Sequence, residues 1–123
     1  GSTDATGALA RFAYPYSVAI DANGLIYVAD SANHVIRKID TSFGVTTLAG
    51  TAGVTGSTDG NGAAARFYQP SSVACDATGN VFVADSINNT VRRVTPAGVV
   101  TTVVTVSPTD ALAGSVIVTG VLT

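Results

Sequence analysis

Asp30 and Arg37 stand seven residues apart, and Asp85 and Arg92 repeat the spacing. Each Asp closes an apolar run and each Arg follows across a short turn, a spacing that permits a cross-strand ion pair or a carboxylate cap on the turn amides. Recurrence favours a structural role over catalysis, because packing is what repeats in a repeat protein. Asp59-Gly60-Asn61-Gly62 has the oxygen-rich, Gly-bent character of a calcium loop, but it lacks the alternating acids and the later bidentate glutamate, so it reads as a turn. His34 is the only histidine, and Asn89 takes the equivalent place further along, so one chain cannot gather a zinc-type cluster. Several copies bringing His34 together around an axis is the lesser alternative. Cys75 lies in an apolar run with no partnered base and reads as a core thiol. Arg11-Phe12 and Arg66-Phe67 are expected between neighbouring units, with Phe in the core and Arg on loop carbonyls. No nucleophile elbow, phosphate loop or zinc helix is present. No catalytic, metal-binding or cofactor-binding residue is therefore assigned, and no cofactor is expected.

These pairs belong to a larger pattern. Displaced so that Gly1 falls on Gly56, the sequence overlays itself. Gly1-Ser2-Thr3-Asp4 returns as Gly56-Ser57-Thr58-Asp59, Ala10-Arg11-Phe12 as Ala65-Arg66-Phe67, and Val28-Ala29-Asp30-Ser31 as Val83-Ala84-Asp85-Ser86. Within each unit, four short apolar runs are separated by turn signals, which predicts a four-stranded antiparallel meander. In the first unit the runs are 17–21, 25–30, 35–40 and 45–50; in the second they are 72–76, 80–85, 90–95 and 99–106. Asp21-Ala22-Asn23-Gly24 supplies a tight turn, since Asn and Gly tolerate positive φ and Asp bonds back to the backbone.

Composition agrees. The 123 residues are 46% hydrophobic and 11% charged, with 18 Val, 17 Thr and 13 Gly, which is strand-and-turn chemistry. All 8 acids are Asp and Lys38 is the only lysine, which argues against amphipathic surface helices. A net charge of −2 with six scattered cations cannot neutralise many phosphates, so nucleic acid is not expected as a partner. No stretch approaches the roughly 18 apolar residues of a spanning helix, so no membrane span is expected. A single cysteine excludes an intrachain disulfide. The absence of methionine suits a processed or excised chain.

Three strings in the first unit carry a resemblance: Pro15-Tyr16-Ser17-Val18-Ala19-Ile20-Asp21, then Gly24-Leu25-Ile26-Tyr27-Val28-Ala29-Asp30, then Asn33-His34-Val35-Ile36-Arg37. They resemble the NHL repeat, and the second unit matches with Phe82 for the Tyr and Val91-Arg92 for Ile-Arg. The Gly-rich insert at 50–67 is similar to that of many bacterial relatives. The resemblance covers roughly residues 1–105 and implies β-propeller blades. It also implies an open face that binds proteins or other ligands; some relatives bind RNA, and a few are enzymes, including a metal-dependent lyase. The expected organisation is all-β: an NHL-like blade at 1–55, a second at 56–106, and a non-repeat apolar tail at 107–123 forming an extra C-terminal strand.

Closed propellers need roughly 4 to 8 blades, and two blades leave apolar faces uncovered. The tail residues Ser115, Val116, Ile117, Val118, Thr119, Val121 and Leu122 are uncharged and apolar on both faces of a strand. They are expected to pair with another copy or a neighbouring domain, with self-capping as the alternative. The functional expectation is a non-enzymatic interaction module that self-associates through its blade faces and this strand. Its partners are then copies of itself, neighbouring blades of a larger chain, or a protein ligand. The low Lys and Glu content with abundant Thr, Gly and Val resembles secreted or cell-surface bacterial proteins.

Overall fold

The computed structural model describes residues 1–105. The tail segment from Ser115 to Leu122 lies outside the described residues. Ten strands form: β1 (Ala5–Thr6), β2 (Pro15–Ile20), β3 (Ile26–Asp30), β4 (Val35–Ile39), β5 (Gly44–Ala49), β6 (Gly60–Asn61), β7 (Pro70–Cys75), β8 (Val81–Asp85), β9 (Thr90–Val94) and β10 (Val99–Thr105). They build two antiparallel sheets in the orders β1-β5-β4-β3-β2 and β6-β10-β9-β8-β7. Each is a propeller-type blade, a meander whose consecutive strands pair, and β2 of the first packs beside β7 of the second.

Each sheet holds five strands rather than the expected four, because β1 and β6 add two residues apiece at the outer edge. Gly60-Asn61 has no strand propensity of its own. It pairs with Val99 and Val100 because the preceding residue, Asp59, is anchored to Arg92. The expected turn at Asp59-Gly60-Asn61-Gly62 is thus a short strand leading into a 3-10 turn at Gly62–Ala64.

The hairpin turns follow from side-chain chemistry. Asp21 Oδ1 accepts the amides of Asn23 and Leu25 at 2.9 and 3.0 Å, with Gly24 at a φ of 81°. Asp76 repeats this with Thr78 and Asn80. Both blades also carry the same two β-bulges, which leave Tyr16 and Leu48 unpaired in the first and Ser71 and Val103 in the second. A bulge breaks the alternation of faces and re-aims a side chain.

The core lies at the junction between blades. Tyr27, Ala29, Ile36 and Ala49 from the first meet Ala65, Phe67, Val73, Val81 and Val83 from the second. Burial along the strands records this: β3 is buried at almost every position, whereas β8 alternates between buried and half-buried because no further blade among the described residues packs on its far face.

Candidate functional site

The conspicuous charged groups of both blades are consumed internally. Arg37 is fully buried and spends four N–H bonds: Nη1 on Asp30 (3.0 Å) and the Arg11 carbonyl (2.7 Å), Nη2 on Asp4 (2.8 Å) and the Thr3 carbonyl (3.0 Å). Arg92 repeats the set with Asp85, the Arg66 carbonyl, Asp59 and the Thr58 carbonyl. Each guanidinium also lies over an aromatic ring, Phe12 at 4.7 Å and Phe67 at 5.0 Å, a cation–π contact. Asp30 and Asp85 each accept two further hydrogen bonds, from the Ala13 and Tyr68 amides and from Asn33 and Asn88. Burial pushes the Asp85 carboxyl up, against the opposing pull of its Tyr68, Asn88 and Arg92 donors. At Asp59 the residual burial cost is outweighed by hydrogen bonds from Thr102 and Arg92, which hold it below the ordinary range. A buried pair in which each carboxylate accepts three hydrogen bonds and faces a guanidinium is a structural knot.

Asp4 and Asp59 are the members of these knots that the residue spacing did not reveal. Each lies far ahead of its arginine in the chain. Their only signal was the recurrence of Gly-Ser-Thr-Asp in step with the Arg. Two further arginines hold loop carbonyls: Arg11 bonds Ala8 and Ala10, and Arg66 bonds Ala63 and Ala65. Phe67 is wholly buried between the blades, while Phe12 is half-buried.

His34 takes the left-handed conformation at a φ of 60°, as Asn89 does at 56°. Its Nδ1 accepts the Gln69 amide of the next blade at 3.0 Å, and its ring meets Tyr68 edge-on. Cys75 lies half-buried at the junction; burial, then the charges of Asp21 and Asp76, push its thiol up, which disfavours the nucleophilic thiolate. Burial likewise pushes the Tyr27 hydroxyl up to about 12, assisted by its 3.0 Å hydrogen bond to Asp21. Among the described residues, no group of three or more His, Cys, Asp or Glu side chains is placed to hold a metal.

Among the described residues, what remains open is a pair of faces. Ser71, Val73 and Cys75 face the first blade, and Val73 is 7% exposed with its amide donating to Ser17 Oγ. Their counterparts one repeat earlier, Tyr16, Val18 and Ile20, are bare, Val18 being 63% exposed. On the far side of the second blade, Phe82, Ala84, Val91 and Val104 correspond to the buried Tyr27, Ala29, Ile36 and Ala49, and are only half-buried. Each end of the two-blade unit thus presents one half of the interface that joins its own blades.

Comparison with known proteins agrees with this architecture. Residues 13–120 match the SMP-30/Gluconolactonase/LRE-like region. The chain belongs to this family. Its NHL-type repeats are reflected in 33% identity over 95 residues with NHL repeat-containing protein 2 of Homo sapiens, and 38% over 95 residues with Protein SUPPRESSOR OF QUENCHING 1, chloroplastic, of Arabidopsis thaliana. These matches cover 75% and 76% of this chain but 13% and 9% of the relatives. Among solved structures, a structural genomics protein of unknown function from Bacteroides thetaiotaomicron superposes with a TM-score of 0.71 at 28% identity, over 74% of this chain and 23% of that one. A member of the SMP-30/gluconolactonase/LRE-like family with two NHL-type blades therefore matches a fraction of these larger chains.

Proposed function

We propose that this chain is a non-enzymatic propeller module that associates head-to-tail with copies of itself through its blade faces, its C-terminal strand adding to a blade edge. The observation that carries the reading is the mismatch between equivalent positions: Val73 is covered by a blade, whereas Val18 presents the same strand position to solvent. Burying apolar surface at roughly 25 cal/mol per Å² favours covering such a face. A head-to-tail contact closes into a ring where the rotation permits, and three copies make six blades. The absence of catalysis is supported by the burial of Asp30, Arg37, Asp85 and Arg92 in ion pairs and hydrogen bonds to one another and to their own loops. A secreted or cell-surface location is supported by the Thr-, Gly- and Val-rich composition alone.

A second reading, a ligand- or protein-binding piece of a larger secreted propeller, is supported by the small share of each relative that the chain spans. The two readings separate by experiment. Val18→Asp leaves the single chain's packing untouched because Val18 is exposed. In the self-association reading it reduces a multimer to single chains, and deletion of residues 114–123 lowers the assembly state. A Val18→Asp protein that keeps the wild-type mass contradicts association through this face.

A further inference from the structure

Two glycines make the internal junction close. Gly98, at a φ of 88°, lies where a Cβ would stand 2.9 Å from the Leu48 carbonyl oxygen and 3.7 Å from its Cδ1. Leu48 is the bulge residue of β5, aimed out of its own sheet toward the second blade. Gly50 donates its amide across the junction to the Gly62 carbonyl, and a Cβ there would stand 2.9 Å from the His34 carbonyl oxygen of its own blade and 3.2 Å from the Phe67 ring of the next.

The exposed faces carry neither glycine. The counterpart of Gly98 is Phe43, held in the same turn at a φ of 64°, and its carbonyl accepts the Gly7 amide as that of Gly98 accepts Gly62. The counterpart of Gly50 is Thr105, which continues β10 opposite Thr90. The counterpart of Leu48 is Val103, the bulge residue of β10, and that of Ala64 is Leu9. Phe43, Leu9 and Val103 are 67%, 70% and 46% exposed. A second copy therefore cannot seat at the internal spacing, because the Phe43 Cβ would meet the Val103 carbonyl. Tyr16 in place of Ser71 and Ile20 in place of Cys75 add bulk on the same face.

We infer that the chain-to-chain seam is wider than the internal junction, and that Phe43 and Leu9 of one copy close over Val103 of the next as an apolar clasp at its outer rim. This rests on the self-association proposed above. The partner is a second copy because the exposed face of each end is the repeat counterpart of a surface already joined inside the chain. The substitutions are also matched in kind: where the internal junction sets Tyr27 near Cys75, the seam sets Phe82 near Ile20, a wholly apolar pair. The clasp gives the seam a register of its own, so that the second blade of one copy meets the first blade of the next.

Phe43→Gly restores the residue that the second blade has at this turn, and glycine suits the positive φ, so the single chain keeps its fold. The readout is the association constant from sedimentation equilibrium, with Val103→Ala and the double variant completing a cycle. The clasp predicts at least about tenfold weaker association for Phe43→Gly, equivalent to about 1.4 kcal/mol, and a non-additive double variant. Unchanged or tighter association of Phe43→Gly, with wild type still assembling, overturns the clasp and makes Phe43 an obstruction. A wild-type chain that stays single at all concentrations overturns the self-association on which the clasp rests.

Discussion

The Asp59 carboxylate lies 2.8 Å from the guanidinium of Arg92, far along the chain, and Asp4 holds Arg37 at the same distance. Each contact ties the start of a repeat to its third long strand and lays a two-residue strand on the outer edge. The two acids that serve Arg92 are unequal, since the Asp59 side chain is 47% exposed and that of Asp85 is fully buried. Asp59→Asn is expected to cost about 1–2 kcal/mol, since the half-exposed Asp59 side chain is partly solvated although its guanidinium partner is buried. Asp85→Asn leaves a buried guanidinium undercompensated and is expected to cost about 3 kcal/mol or more. Urea unfolding of both variants checks the order; equal losses contradict the knot as described.

Gly98→Ala is expected to cost about 1–3 kcal/mol, from positive φ and from the 2.9 Å approach of the new Cβ to the Leu48 carbonyl. Gly53→Ala is the control, because Gly53 has a φ of 78° with nothing within 4 Å of a Cβ. It carries the conformational cost alone, about 1 kcal/mol. A smaller loss at Gly98 than at Gly53 would show that the junction is not closed by backbone approach.

The raised Tyr27 hydroxyl makes stability fall at alkaline pH. Below the ordinary tyrosine range of about 10 the hydroxyl is protonated in both folded and unfolded chains. Between there and about 12 the folded chain holds the proton more tightly, so stability declines as pH rises through that window. Tyr27→Phe, the residue the second blade already has as Phe82, is expected to flatten this decline. Thermal unfolding of both proteins between pH 9 and about 12 measures it, and parallel curves would exclude Tyr27 as the source.

The long strands were legible because the internal repeat doubled every signal, and Asp30 with Arg37 was legible because their short spacing spans one hairpin. The acids at Asp4 and Asp59 were not, since a contact so distant in sequence leaves no local periodicity. The short strands β1 and β6 escaped for a related reason: Gly60 and Asn61 pair only because Asp59 is anchored. The bulges at Leu48 and Val103 were hidden because an extra residue breaks the period of two on which strand reading depends.

His34→Asn is expected to change stability by no more than about 0.5 kcal/mol, since Asn89 adopts the same left-handed conformation and an amide oxygen can accept the Gln69 amide. His34→Val removes the acceptor and places a β-branched residue at positive φ, with an expected loss of about 1–3 kcal/mol. Equal stability of the two variants would show that neither the bond nor the backbone conformation matters.

In the proposed assembly, the bare Tyr16, Val18 and Ile20 face is covered by the second blade of another copy. The native mass of the wild-type chain across a concentration series tests it most directly. A defined multiple of the chain mass is expected, three copies for a closed set of six blades, falling toward the single chain on dilution. A single-chain mass at every concentration, with the chain folded, would contradict it.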